Sequence, residues 1–330
     1  MEQSNTSVTA LPVQAERLSW RERLSDPEFW INWTAVIALA VLIIIFGIAS
    51  PAFLSFGNIR AVLVAAALLV ILTVGQTFVI LTGGIDLSLA STMTWAGVVL
   101  GQVVAHGGPI GLACLSAIVA GLLVGLINGL LVAWGRIPDF IATLGTLSAA
   151  SGAALIFSNG EPVTLVSTFL LQLATGSLGP LPYFVLIALL VVLLGHFLLF
   201  YTRFGTHLLA TGGDAEAARA MGIRTAGIKL AAYLLAGGLA GLAAILFTAR
   251  IGAAEPAVDT SYLLNSVAAV VLGGVSLFGG RGTIAGPAAG ALLLTVLVNG
   301  LTLLGLSQFY QPVVVGLAVV LAALLVRYWR

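Results

Sequence analysis

Residues 29–50, 60–82, 87–106, 109–134, 138–158, 181–201, 228–249, 263–278, 284–304 and 309–327 are each apolar and about one bilayer long. About 20 apolar residues in helical form cross the hydrocarbon core. Inside lipid only a helix or a closed barrel pairs all of its own backbone groups. Barrel strands alternate apolar and polar residues with period two, and these runs do not. The expected fold is therefore all-α, a polytopic membrane bundle of about ten transmembrane helices.

Charge agrees with that solvent. Charged residues make up 8% of the chain, against about 25% in ordinary soluble domains, and mean hydropathy is +1.15. A net charge of +1 leaves no basic patch of the kind that a nucleic-acid partner needs. The single cysteine, Cys114, excludes an intrachain disulfide and a cysteine-based metal site, and His106, His196 and His207 are too scattered for a cluster. No metal, no cofactor and no catalytic constellation is expected, so an enzyme is not.

Residues 1–28 read as a polar cytoplasmic tail, with Trp20 to Trp30 as an amphipathic segment on the membrane face. Residues 29–330 read as one membrane domain. The tail is too long and too acidic for a signal n-region, so no cleavable leader is expected. With the N-terminus inside and ten crossings, all of the 13 Lys and Arg except Arg60 and Arg250 fall on the inner side. That asymmetry places both termini in the cytoplasm. Two gaps exceed a turn: 159–180 outside, whose apolar stretch 165–173 reads as re-entrant or interfacial, and the charged 202–227 inside.

Four kinds of local pattern stand out. Gly83-Gly84-Ile85-Asp86-Leu87-Ser88 interrupts the apolar pattern, with Asp86 and Ser88 suited to cap the next helix. An acid in the membrane faces protein or a water-filled path, so Asp86 and Ser88 are pathway candidates. Small residues four apart (Gly121, Gly125 and Gly129; Gly237 and Gly241; Gly286 and Gly290) let helix backbones approach closely. Asn128 and Asn299 lie near two of these stripes, either as interhelical hydrogen bonds or as polar positions on a translocation wall. Finally, 79–89 and 270–277 echo one another, although the spacing does not fit a simple duplication.

The inner gap carries the fourth pattern, residues 210–223. Asp214 suits an N-cap, Glu216 the positive end of the helix dipole, and Gly222 a C′ stop. Two turns of helix are too short to be stable alone in water, so this one should dock onto its own domain or into a partner's groove.

Thr77 to Ser88, Phe140 to Thr146, the 210–223 loop and Ala268 to Thr283 together resemble the permease subunits of ribose/xylose/galactoside-type bacterial ATP-binding-cassette (ABC) sugar importers. The resemblance runs from about residue 50 to the C-terminus. It implies a multi-pass protein of the bacterial inner membrane that passes a monosaccharide or similar solute. It also implies a second permease chain (identical or not), cytoplasmic ATPase subunits and a periplasmic sugar-binding protein. Gly212, Asp214, Ala217, Ala218 and Gly222 match the family's coupling helix, which joins the ATPase, and Glu216 lies among them. Thr143 of the second segment joins Asp86, Ser88, Asn128 and Asn299 as a pathway candidate. Three positions depart from the family: Thr206 replaces the usual Arg, Asp214 the usual Asn, and Ala90 a frequent Gly. Permeases for nucleosides or branched-chain amino acids share the architecture, and an ion-coupled secondary transporter is the competing class. The only lysine, Lys229, follows Ile228, so the chain has no Gly-x-x-x-x-Gly-Lys phosphate loop and cannot itself use ATP.

Overall fold

The computed structural model describes residues 27–328. Of the segment expected to lie on the membrane face, residues 20–26 fall outside them and residues 27–30 begin the first helix. The helices are α1 (Pro27–Ala49), α2 (Phe56–Leu81), α3 (Leu89–Ala105), α4 (Ile110–Ala133), α5 (Asp139–Ser158), α6 (Thr168–Thr175), α7 (Tyr183–Phe200), α8 (Arg203–Gly213), α9 (Ala215–Ala220), α10 (Thr225–Ile251), α11 (Thr260–Leu272), α12 (Ala285–Leu303) and α13 (Gln311–Tyr328). Each of the ten expected runs holds a helix. Six of these, α2, α4, α5, α7, α10 and α12, are long and apolar enough to cross a membrane.

One expectation needs correction. The run 263–278 is not one helix: α11 stops at Leu272 after 13 residues, about 20 Å at 1.5 Å per residue. Gly273-Gly274 then releases the chain into a loop. The fold is otherwise all-α, as expected, with very little strand. Two-residue strands β1 (Val163–Thr164) and β4 (Ala253–Ala254) pair antiparallel, as do β2 (Ser177–Leu178) and β3 (Leu181–Pro182). Within the stretch 165–173, residues 168–173 belong to α6, a short helix against α7 and α10.

α2 is the hub. Every residue from Ala66 to Leu81 is buried, and α7, α10, α11 and α12 surround it. A helix that is apolar on all sides is one that neighbours cover on all sides. The other seams depend on small residues, as the spacing predicts. A Cβ added to Gly121 would lie 2.2 Å from the Gly237 carbonyl oxygen, and one on Gly241 would lie 2.6 Å from that of Ala117. A Cβ on Gly290 would lie 2.3 Å from the Ala269 carbonyl. Backbone thus meets backbone along α4–α10 and α11–α12.

Gly121→Ala should therefore lower the stability of the purified chain by about 1–3 kcal/mol, the usual cost of overpacking. Gly111→Ala, with nothing within 4 Å of the new methyl, should leave it unchanged. Thermal unfolding in detergent compares the two.

Contacts between connections sort them onto two ends. The β1–β4 ladder joins the loop after α5 to the loop after α10. At that same end the Arg60 guanidinium donates to the Thr175 carbonyl and the Gln102 amide to the Phe157 carbonyl. At the opposite end the Gly280 N–H donates to the Leu81 carbonyl at 3.0 Å, and Ile85 reaches Asp139. The candidate residues gather at this second end.

Candidate functional site

α2 and α11 end in the same way. After α2, the Gly83 N–H donates to the Ile80 carbonyl and the Gly84 N–H to that of Val79. After α11, Gly274 bonds Val271 and Val275 bonds Val270 in the same pattern. Gly83 and Gly274 both have φ of +80°. These are Schellman caps, whose left-handed C′ position glycine takes without a Cβ penalty. The echo between 79–89 and 270–277 is thus a structural likeness, and the two breaks meet. A Cβ on Gly279 would lie 2.7 Å from the Gly83 nitrogen.

Beyond Gly83 the chain is held by polar groups from three helices. Gln76 of α2, with its amide turned to satisfy both groups, donates to the Asp86 carbonyl at 3.1 Å and accepts the Asp86 N–H at 3.3 Å. The Ile85 N–H donates to Asp139 Oδ2 at 2.5 Å. Asp86 Oδ1 accepts the Ser88 N–H at 2.8 Å and the Ser88 hydroxyl at 2.6 Å. Asn128 Nδ2 donates to Ser88 Oγ at 2.8 Å, and its Oδ1 accepts from Thr146 Oγ1 at 2.6 Å. Thr143 Oγ1 donates to the Asp139 carbonyl at 2.8 Å.

The capping expectation changes here. Ser88 sits at the N-cap of α3, but its side chain caps no backbone group; its hydroxyl instead donates to Asp86 and accepts from the Asn128 amide. Asp86 bonds the N-cap residue itself instead.

The structure therefore brings Asp86, Ser88, Asn128 and Thr143 together, all buried: Asp86 is 2% exposed and the other three 0%. Asn299 is not among them. It exchanges two hydrogen bonds with Asn58, at 3.0 and 2.9 Å, near the far end of the molecule. Both asparagines make interhelical hydrogen bonds. Sequence reasoning missed Gln76, Asp139 and Thr146. Gln76 interrupts an otherwise apolar run, and a polar group there is a reason to look for a buried partner. Tyr233 of α10 completes the surroundings: its buried hydroxyl has no hydrogen-bond partner among the described residues and lies beside Gly84.

The 210–223 segment folds as α8, a one-residue corner and α9. Asp214 caps α9, accepting the Ala217 and Glu216 N–H groups, each at 2.9 Å. These bonds hold its carboxyl below the ordinary carboxylate value, and Arg219 acts in the same direction. A carboxyl lowered on folding stabilises above its unfolded value and loses that contribution as pH falls through the folded one. The cap is therefore intact at neutral pH and weakens only in acid. Gly222, with φ of +84°, follows the C-cap Met221, as the sequence predicts.

The six coupling candidates divide by direction. Asp214, Glu216, Ala217 and Gly222 are exposed, whereas Ala218 is buried. Gly212 presses into its own domain: a Cβ there would lie 1.8 Å from the Leu81 carbonyl oxygen and 2.6 Å from the Gly280 nitrogen. Gly212 thus touches the end of α2 and the loop after α11 together. At the same end Met221 and Phe278 stand 83% and 86% exposed, large apolar side chains that the sequence reading did not select.

Residues 58–324 match the family model described as the permease component of the branched-chain amino acid transport system. The chain belongs to this permease family. It is 40% identical to the ribose import permease protein RbsC of Escherichia coli (strain K12) over 294 residues, which is 88% of this chain and 92% of that protein. The RbsC of Bacillus subtilis (strain 168) is likewise 40% identical, over 88% of this chain and 91% of its own length. The autoinducer 2 import system permease protein LsrC of Salmonella choleraesuis is 36% identical over 86% of this chain and 82% of its own. No solved structure matches. As a family permease the chain is a multi-pass membrane protein, and the matched region takes in both breaks and α9.

Proposed function

We propose that this permease is the membrane subunit of an ATP-driven importer for a monosaccharide or related small polyol in the bacterial inner membrane. It would cross the membrane ten times with both termini in the cytoplasm. The end bearing α9 and the two glycine breaks then faces inward, and the β1–β4 end meets a periplasmic sugar-binding protein. A second permease chain completes the pathway, and cytoplasmic ATPase subunits receive α9. Relatives named for ribose and autoinducer 2 import support the solute class, and the skewed basic residues support the orientation.

One observation carries the mechanism: Gly212, at the foot of the α8–α9 corner, packs backbone to backbone against the end of α2 and the loop after α11. Glu216, Ala217, Gly222 and Asp214 form the outward face that a groove of the ATPase would grip, with Met221 as its apolar anchor. When ATP closes the ATPases, α9 moves. Gly212 then displaces the Leu81 and Gly280 backbones and so the Gly83 to Ser88 turn. Ala218 fixes α9 to its own domain. Asp86, Ser88, Asn128 and Thr143 hold the turn that moves, and Tyr233 is the unpartnered group beside it. Asn299 tethers α12 to α2 at the outer end.

Glu216→Lys and an Ala217→Trp variant should each insert normally yet lose ATP-driven uptake, on the order of tenfold, when reconstituted with ATPase and binding protein. Solute-stimulated ATP hydrolysis, scanned over pentoses, hexoses, nucleosides and branched-chain amino acids, identifies the cargo. The family model's own description makes amino acids the competing outcome. Undiminished uptake by both variants would remove the coupling role of α9. Uptake that survives ATP depletion but collapses with an uncoupler would instead favour an ion-coupled carrier.

A further inference from the structure

Between the foot of α4 and the start of α10 lies a cleft of about 800 Å³ that the coupling scheme does not use. Its walls come from the end of α4, the turn into α5, the edge of α9 and the first turn of α10. Arg136, Arg219 and Lys229 line it, one from each of three separate segments. Asp139 is the one acidic residue among the lining, and its carboxylate already accepts the Ile85 N–H. None of the three cationic side chains forms an ion pair or hydrogen bond among the described residues, and the Asp214 carboxylate that acts on Arg219 is exposed. Arg136 is moreover held at φ of +53°, a conformation that non-glycine residues keep only where the surroundings impose it. Like charges gathered at a partly enclosed surface attract an anion.

The neighbouring surface says which kind. Leu115, Val119, Leu123, Ile127, Leu130 and Trp134 recur three or four residues apart along α4, and all are exposed. They make one apolar stripe that runs down the helix and ends at Trp134, itself part of the cleft wall. A soluble anion would use the cations and ignore the stripe. A phospholipid uses both, with acyl chains along α4, the indole at headgroup level and the phosphate among the cations. We propose that this cleft binds the headgroup of an anionic phospholipid. Because Arg219 belongs to α9 and Arg136 to the α4–α5 turn, the bound headgroup would bridge the coupling element to the bundle and make coupling sensitive to membrane charge.

The proposal rests on the reading that this end of the permease faces the inner leaflet, but its test reads binding to the chain itself. Native mass spectrometry of the full chain in detergent would follow titration with phosphatidylglycerol and with phosphatidylcholine of the same acyl chains. Phosphatidylglycerol should be retained on the order of tenfold better, given the attraction expected from several cations. Arg136→Gln with Lys229→Gln should erase that preference without altering the circular dichroism spectrum, and Arg250→Gln at the opposite end should keep it. An undiminished preference for phosphatidylglycerol in the double variant would overturn the proposal. So would displacement of the lipid by millimolar inorganic phosphate, which would make the cleft a site for a soluble anion. Expulsion of the lipid on adding ATPase subunits would assign the cations to that partner instead. A chain that holds the lipid but fails to couple ATP hydrolysis would keep this inference and lose the functional reading.

Discussion

Gly212→Ala should abolish ATP-driven uptake, whereas Gly213→Ala, one residue on, should leave it untouched. The contrast comes from what a methyl group meets. At 213 it meets nothing within 4 Å, and at 212 it would sit 1.8 Å from the Leu81 carbonyl oxygen and 2.6 Å from the Gly280 nitrogen. Both obstacles are backbone, so no rotamer change relieves them. The α8–α9 corner must instead back away by about 1 Å or more, and overpacking of this kind costs about 1–3 kcal/mol. The hydrogen bond from Gly280 to Leu81 lies in the same contact and would stretch with it. A few kcal/mol does not unfold a bundle of this size, but it uncouples the corner from the two broken helices. Uptake should fall at least tenfold while ATP hydrolysis by the assembled complex becomes indifferent to solute. Exposed positions such as 213 usually change stability by under about 0.5 kcal/mol. Wild-type uptake in Gly212→Ala vesicles would show that force does not pass through this contact.

The difference between 212 and 213 was not legible in the chain, where both are glycines in a Gly-Gly pair before a cap. What was legible has a local cause. Hydropathy placed the helices because lipid acts on every residue of a run. The four-residue spacing placed the α4–α10 and α11–α12 seams because only hydrogen side chains permit that approach. The Asp214 cap and the Gly222 stop depend on neighbours two or three residues away. The rest depends on partners far along the chain. Asn128 and Asn299 look alike in sequence, yet one bonds Ser88 and the other Asn58 at the opposite end. Ala217 and Ala218 differ only in which one the bundle covers. The run 263–278 stayed apolar through Gly273-Gly274, so hydropathy could not see that the helix had ended, and the cap geometry it shares with Gly83 emerged only from the backbone.

Asp86 is where charge and geometry can be separated. Asp86 is 2% exposed at the inner end of the bundle, and a buried carboxyl is costly unless it is hydrogen-bonded, so its presence asks for a use. If the use is positional, one oxygen matters: Oδ1 accepts both the N–H and the hydroxyl of Ser88, and through Ser88 it holds Asn128 and then Thr146. Asp86→Asn keeps an oxygen in that place and removes the negative charge. Asp86→Ala removes the acceptor and leaves two buried donors unpaired, each costing about 1–3 kcal/mol. On the positional account the Asn variant should keep uptake within about threefold of wild type and melt at nearly the same temperature. The Ala variant should lose several kcal/mol by the same orphaned-donor argument and lose uptake with it. A pathway role for the charge makes the opposite demand: Asn would transport as poorly as Ala while remaining as stable as the native chain. Melting temperature and uptake, measured on the same two proteins, therefore decide whether Asp86 meets the solute or holds the hinge beside it.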